Sequence, residues 1–227
     1  EPGEYKYRIV PMLSNPDHLH LKPDVQSAVE TDWVHVGPPT RGVIKPFFNV
    51  GLISTQAIAK SLPKNKKGRP DVTKLKNEIA KAKSAIRTRL SGPLIEVLTR
   101  LLKRAKTEGG RCYAALYELT DKELQANLVA VRDRIEVILS NSNHDGDYDG
   151  GNRKHREALK KSGVTILDRL LPTGANEIGH NKFVVYVDAA GTARAVMTGS
   201  TNWTATGLCS QTNNALIIED DDVAAHY

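Results

Sequence analysis

Apolar and polar residues alternate with period two in GEYKYRIVPML (residues 3–13) and SAVETDWVHVG (residues 27–37), which predicts two β-strands. The period then lengthens. Val72, Leu75, Ile79, Ile86 and Leu90 fall on one helical face, predicting an amphipathic helix over 71–90 with Asp71 near its cap. Ser91-Gly92-Pro93 ends it, and Pro93 suits the first turn of a second helix whose stripe is Leu94, Val97, Leu98, Leu101 and Leu102. Beyond residue 110 the two periods take turns. RCYAALYEL (111–119) predicts a strand, 121–132 a helix, RIEVILS (134–140) a strand, 152–162 a helix and VTILDR (164–169) a strand. HNKFVVYV (180–187), RAVMTG (194–199) and NALIIE (214–219) follow as three more strands. This alternation predicts an α/β fold with a mixed β-sheet flanked by helices.

Punctuation divides the chain into three parts. In residues 1–40, Gly3-x-Tyr5-x-Tyr7-Arg8-Ile9-Val10 resembles the penultimate strand of a fibronectin-type or immunoglobulin-like sandwich, with the second run as its last strand. Two strands cannot make that sandwich, so the resemblance implies the terminal strands of a truncated domain. Residues 41–92, interrupted by Lys45-Pro46 and LPKNKKGRP (62–70), are expected to form a basic linker with helices; FFNVGLISTQAIAK (47–60) suggests a short strand and a short helix within it. Residues 93–227 are expected to be the α/β domain. The chain opens on Glu1-Pro2-Gly3 and closes on IIEDDDVAAHY, a strand running into the first turn of a helix, so a fragment trimmed at both ends is expected.

With 227 residues, 40% of them hydrophobic, the chain can build a sizeable core. No run approaches the roughly 20 apolar residues of a membrane helix, and no signal segment opens the chain, so the compartment is not written in it. Cys112 and Cys209 lie far apart without metal-ligand spacing and read as two reduced, semi-buried thiols. Charge is uneven: residues 60–111 hold sixteen Lys and Arg against four Asp and Glu, a net +12, which leaves −6 for the remainder. Such a segment suits a phosphate-rich partner, nucleic acid or anionic lipid; the weightier alternative is a solvated face on two surface helices.

The chemistry concentrates in residues 179–204. Residues two apart on a strand share a face, so His180 and Lys182 project together, and Ser200 aligns with Asn202 by the same parity. Four polar groups at the ends of apolar strands must satisfy one another or bind a polar ligand. His180-x-Lys182, followed by Gly199-Ser200-x-Asn202-Trp203-Thr204, resembles the half-site of the phospholipase D superfamily, and the likeness runs from about residue 93 to the end.

That resemblance implies a metal-independent phosphodiesterase with no cofactor. His180 would attack phosphorus and form a phosphohistidine, with Lys182, Asn202 and Ser200 holding the phosphoryl oxygens. Trp203 is placed as a substrate contact, with packing as the weightier alternative, and Glu177 as a support at the pocket mouth. The superfamily pattern would set an aspartate at position 187; Val187 stands there and Asp188 follows, and by strand parity Asp188 shares the face of His180 and takes the support role unless a bulge resets it. A second half-site must supply the general acid. His20-Leu21-Lys22 lacks a following Gly-Ser-x-Asn and reads as coincidence, so the partner is expected from a missing C-terminal repeat or from a homodimer. The substrate is a phospholipid or a nucleic acid; the rival reading is a non-catalytic phosphate- or nucleic-acid-binding module.

NHDGDYDGG contains Asp145-x-Asp147-x-Asp149-Gly150, half of a calcium-loop pattern, but Arg156 stands where the bidentate Glu belongs. A solvated acidic turn is the expectation. His144 and His155 flank it without a ligand partner.

Overall fold

Alternation within residues 3–36 produces short antiparallel strands that pair two by two in this computed structural model. It describes residues 3–15, 18–36, 43–51, 64, 66–68, 71–143, 146–171 and 178–227. Two units are distinguished, Glu1–Gly42 and Val43–Tyr227. In the first, β1 (Gly3–Tyr5), β2 (Arg8–Ile9), β3 (Met12–Asn15), β4 (His18–Pro23), β5 (Val29–Glu30) and β6 (Val34–Val36) pair as β1 with β6, β2 with β5 and β3 with β4. Each of the two expected strands thus appears in pieces, and the HLHLKP run adds β4, which holds His20 and Lys22. Tyr7, Ile9, Met12, Val29 and Trp33 are exposed, in keeping with strands that pair only two by two among the described residues.

The second unit begins with β7 (Ile44–Phe48) and the helices α1 (Val72–Ala80), α2 (Ala85–Ser91) and α3 (Leu94–Glu108). It continues through β8 (Arg111–Leu116), α4 (Lys122–Val129), β9 (Ile135–Ser140), α5 (Arg153–Lys161) and β10 (Thr165–Arg169). Then come β11 (Lys182–Val187), β12 (Ala193–Gly199), α6 (Ala205–Cys209), β13 (Asn214–Ile218) and α7 (Asp221–His226). Seven strands form one mixed sheet in the order β10-β9-β8-β11-β12-β13-β7, with β8, β9 and β10 parallel and the other pairings antiparallel.

Residues 44–48 and 72–91, expected in a linker, are therefore built into this unit. The edge strand β7 pairs with β13, and Ile79 and Leu90 join the main core. The short helix expected within 47–60 falls largely outside the described residues. The single helix expected over 71–90 is two. Lys83 takes a left-handed φ of 63°, and the Ser84 hydroxyl then caps α2 by accepting from the Arg87 amide at 3.1 Å. Periodicity missed the break because Ile79 and Ile86 keep the same core-facing phase across it.

Leu94, Val97, Leu98, Leu101, Leu102 and Ala105 of α3 pack on one face of the sheet against Val184 and Tyr186 of β11. On the other face Val185 and Val196 pack against Ala224 of α7, while Tyr113, Ile138 and Leu167 stay exposed. In the basic segment Lys74, Lys76, Lys81, Lys83, Arg89, Lys103 and Lys106 are exposed, while three arginines are engaged. Arg87 is 1% exposed, Arg100 pairs with Glu96 and lies over Phe47, and Arg104 pairs with Glu108 and Glu219 and lies over Tyr186.

Asn152, wholly buried at the start of α5, ties the ends of β8 and β9 together. Its amide nitrogen donates to the Tyr117 carbonyl (2.6 Å) and the Ser140 carbonyl (2.7 Å), and its oxygen accepts from the Leu119 amide (3.1 Å). Arg156 supports the same place by donating to the Leu139 and Ser140 carbonyls and to Asp149 and Asp168. Asn152→Ala strands a buried amide and a carbonyl, and is expected to lower the unfolding free energy by about 2–3 kcal/mol. Urea denaturation checks this; a loss under about 0.5 kcal/mol would deny the clamp.

In the turn that resembled half a calcium loop, arginines hold the carboxylates. Asp147 binds Arg153 through both oxygens (2.9 and 2.7 Å), and Asp149 binds Arg156. Asp145 and His144 lie outside the described residues. His155 contacts Gln125 through Nδ1 at 2.9 Å.

Candidate functional site

Antiparallel pairing brings separate stretches of sequence to one margin of the sheet. Lys182 at the start of β11 faces Leu116 at the end of β8, Phe183 pairs with Thr198 near the end of β12, and Gly199 pairs with Ala215 near the start of β13. The turns that leave β8, β9 and β12 and the segment leading into β11 therefore share one lip.

Two glycines permit the close approach. A Cβ at Gly179 would collide with the Ser140 side chain, so only glycine lets the chain before β11 lie against the end of β9. Gly199, at φ 149°, would drive a Cβ into the Asn214 carbonyl.

His180 is exposed and precedes β11, and its ring packs edge-on to Tyr117 with centroids 4.9 Å apart. Lys182 is 6% exposed; its Nζ donates to the His180 carbonyl at 3.0 Å and stands 5.4 Å from the centre of the Tyr117 ring. From the β12 side, Asn202 Nδ2 donates to Glu118 Oε2 at 2.6 Å. Glu118 Oε1 accepts from the Ser142 hydroxyl at 3.3 Å. The backbones are tied as well: the Trp203 amide donates to the Glu118 carbonyl, and the amides of Thr120 and Asp121 donate to the Trp203 carbonyl.

Electrostatics join these groups into one unit. Partial burial holds the His180 imidazole below its ordinary pKa and the Lys182 ammonium adds to this, while the Glu118 carboxylate pulls upward. Burial also lowers Lys182, again opposed by Glu118. The result is a neutral imidazole beside a cation that is partly stripped of water, an arrangement able to present a nucleophile and a positive charge to one anion.

His180, Lys182 and Asn202 are thus gathered at one lip, but other expected members are not used as foreseen. Trp203 is 0% exposed and belongs to the core, so its ring offers no face to a ligand; this corrects its placement as a substrate contact. The Ser200 hydroxyl donates to Asn213 Oδ1 and accepts from the Asn214 amide, both at 3.0 Å, which engages it in the β12–β13 connection. Asp188 lies past the far end of β11, six residues from Lys182 or roughly 20 Å of extended chain. There it accepts from the amides of Ala190 and Thr192 and from Arg194, so it orders the β11–β12 turn and does not support the site. The bulge that could reset its parity is present as well, since Tyr186 pairs with Ala195 but Val187 with Ala193. Glu177 lies outside the described residues. Tyr117, Glu118 and Ser142 were missed. The one available signal was a carboxylate at the end of an otherwise apolar strand in RCYAALYEL.

The family model described as the phospholipase D-like domain of cardiolipin synthase matches residues 98–227. Among solved structures, Nuc from Salmonella typhimurium, a phospholipase D family member, is 19% identical, with 56% of this chain and 78% of that one covered at a TM-score of 0.42. NucT from Helicobacter pylori is 17% identical over 59% of this chain and 84% of its own, at a TM-score of 0.40. A polyphosphate kinase from Porphyromonas gingivalis is 15% identical over 56% of this chain and 22% of its own, at a TM-score of 0.41. No curated protein sequence matches the chain.

Proposed function

From the premise that this chain belongs to the phospholipase D-like domain family, we propose that it is a metal-independent phosphodiesterase whose nucleophile is His180. The observation that carries this reading is the meeting of His180 and Lys182 with the Asn202–Glu118 pair at one sheet margin. A phosphodiester is anionic and repels anionic nucleophiles, so its cleavage is favoured by an uncharged attacker and by fixed donors for the non-bridging oxygens. The imidazole of His180 supplies the first, and the Lys182 ammonium with the second N–H of the Asn202 amide the others.

An imidazole nitrogen attacks phosphorus, the P–N bond forms as the P–O bond to the leaving alcohol breaks, and the alcohol takes a proton from a general acid. Water then attacks phosphorus, the P–N bond breaks, and the water proton passes to the same group acting as base. That group belongs to a second half-site, supplied by a second copy of the chain or by a following repeat. The substrate is a phospholipid or a nucleic acid.

Hydrolysis of bis(p-nitrophenyl) phosphate should survive excess EDTA with its rate essentially unchanged, and a rapid denaturing quench should trap phosphorus on the protein in an acid-labile, base-stable linkage. Activity abolished by EDTA and restored by a divalent ion would defeat the metal-independent mechanism. Binding of the diester without turnover would instead favour a phosphate-binding module.

A further inference from the structure

Glu118 stands out because a phosphate-binding site should exclude carboxylates. It sits just past the end of β8, both of its oxygens are engaged, by Asn202 and by Ser142, and its charge acts on His180 and Lys182. We propose that Glu118 is a positioning residue of the His180 site, whose carboxylate orients the Asn202 amide and balances the Lys182 ammonium; this deepens the phosphodiesterase reading and rests on it.

The orientation follows from hydrogen-bond chemistry. An ionised carboxylate can only accept, so at 2.6 Å Asn202 must turn its NH2 group toward Glu118. The reversed amide would set two acceptors against each other. Asn202 Oδ1 is thereby directed away from Glu118, and it is buried without a partner among the described residues. A site that leaves a buried carbonyl oxygen unpaired to keep the amide in one sense has that sense imposed by a stronger contact, and the charge-assisted bond to Glu118 is such a contact.

Charge balance is the second strand of the argument. Lys182 is nearly buried, and among the described residues its nitrogen meets the His180 carbonyl and the Tyr117 ring but no carboxylate within ion-pair distance. Glu118 is the negative charge that acts on it. Around His180 stand Tyr117 and Glu118 from the end of β8 and Lys182 from β11, with the Arg169 side chain of β10 beside the neighbouring Gly179. Glu118 is the acid that opposes the cations in this set, so its loss leaves His180 facing positive charge alone among the described residues. The imidazolium is then disfavoured.

The test compares wild type, Glu118→Gln and Glu118→Ala. The first variant keeps the shape and removes the charge; the second removes both. NMR titration of the protein carrying 13C-labelled histidine reads the His180 ring, its signal identified by disappearance in His180→Ala. Kinetics on bis(p-nitrophenyl) phosphate run alongside. In Glu118→Gln the His180 titration should move to lower pH by about half a unit or more, the acid limb of kcat/KM should follow it, and kcat should fall about tenfold with a smaller change in KM. Glu118→Ala should lose about a hundredfold, because the Asn202 amide is also released. A His180 titration identical in wild type and Glu118→Gln overturns the proposal whether or not the diester is hydrolysed. A shifted titration in a wild-type protein that leaves the diester intact supports the positioning role while sinking the catalytic reading.

Discussion

Replacing His180 with alanine is expected to lower kcat for diester hydrolysis by about 10⁴-fold or more while leaving the fold intact. The size of the effect follows from the proposed role, because a missing nucleophile removes the covalent route altogether. The neutral effect on stability follows from place: His180 is exposed, precedes β11 and contributes an edge contact to Tyr117. Steady-state kinetics and thermal denaturation of the variant separate the two effects. A variant that keeps a tenth of the activity would end the nucleophile assignment.

The same role sets a pH dependence. Attack requires the neutral imidazole, so activity is present above the His180 pKa and lost as pH falls through it. Partial burial and the Lys182 ammonium outweigh the opposing Glu118 charge, so the acid limb should lie below the ordinary histidine value of 6.5. A limb above that value would contradict the electrostatics of the site.

The largest effect on stability is expected from Asp121→Ala, at about 3–5 kcal/mol. The Arg87 side chain is 1% exposed and donates to Asp121 Oδ1 (2.9 Å), to Glu123 Oε2 (3.2 Å) and to the Ile79 carbonyl (2.7 Å). Asp121 is its one fully buried acidic partner among the described residues, since the Glu123 side chain is 26% exposed. Truncating Asp121 leaves a buried guanidinium with the part-exposed Glu123 carboxylate and the Ile79 carbonyl as its remaining partners among the described residues. It also removes the N-cap of α4, where Asp121 accepts from the amides of Glu123 and Leu124 at 3.1 Å.

This latch bears on the site because residues 118–121 bond along the Trp203 backbone. Denaturant unfolding measures the loss, and the Arg87→Met, Asp121→Ala double variant should recover part of it, since the stranded charge is then gone. A single-variant loss under about 1 kcal/mol would show that Glu123 and the Ile79 carbonyl suffice.

How much of this was legible in sequence can be judged element by element. The strands β8 to β13 followed from periodicity, as did the position of α3, because burial of one helical stripe or of a whole strand leaves a local signature. The break between α1 and α2 left none, since apolar phase continues across it and the interruption lies in a left-handed Lys83. The strand β7 was foreseen only as a short element of a linker; its place at the sheet edge depends on pairing with β13, which lies more than 160 residues away. Trp203 shows the same limit within the site, because an aromatic after a turn reads alike whether it faces ligand or core.

The sequence by itself carried the α/β class in its periods, and the likeness to the family with His180, Lys182 and Asn202 in two short motifs, since each of those is a local pattern. Tertiary structure alone decided the rest. Antiparallel pairing of β8 with β11 delivered Glu118 and Tyr117, more than sixty residues earlier in the chain, to His180 and Lys182. The length of β11 carried Asp188 away to a turn at its other end. Both outcomes depend on strand partner and register, which are long-range choices set by packing of the whole sheet and not by any local pattern.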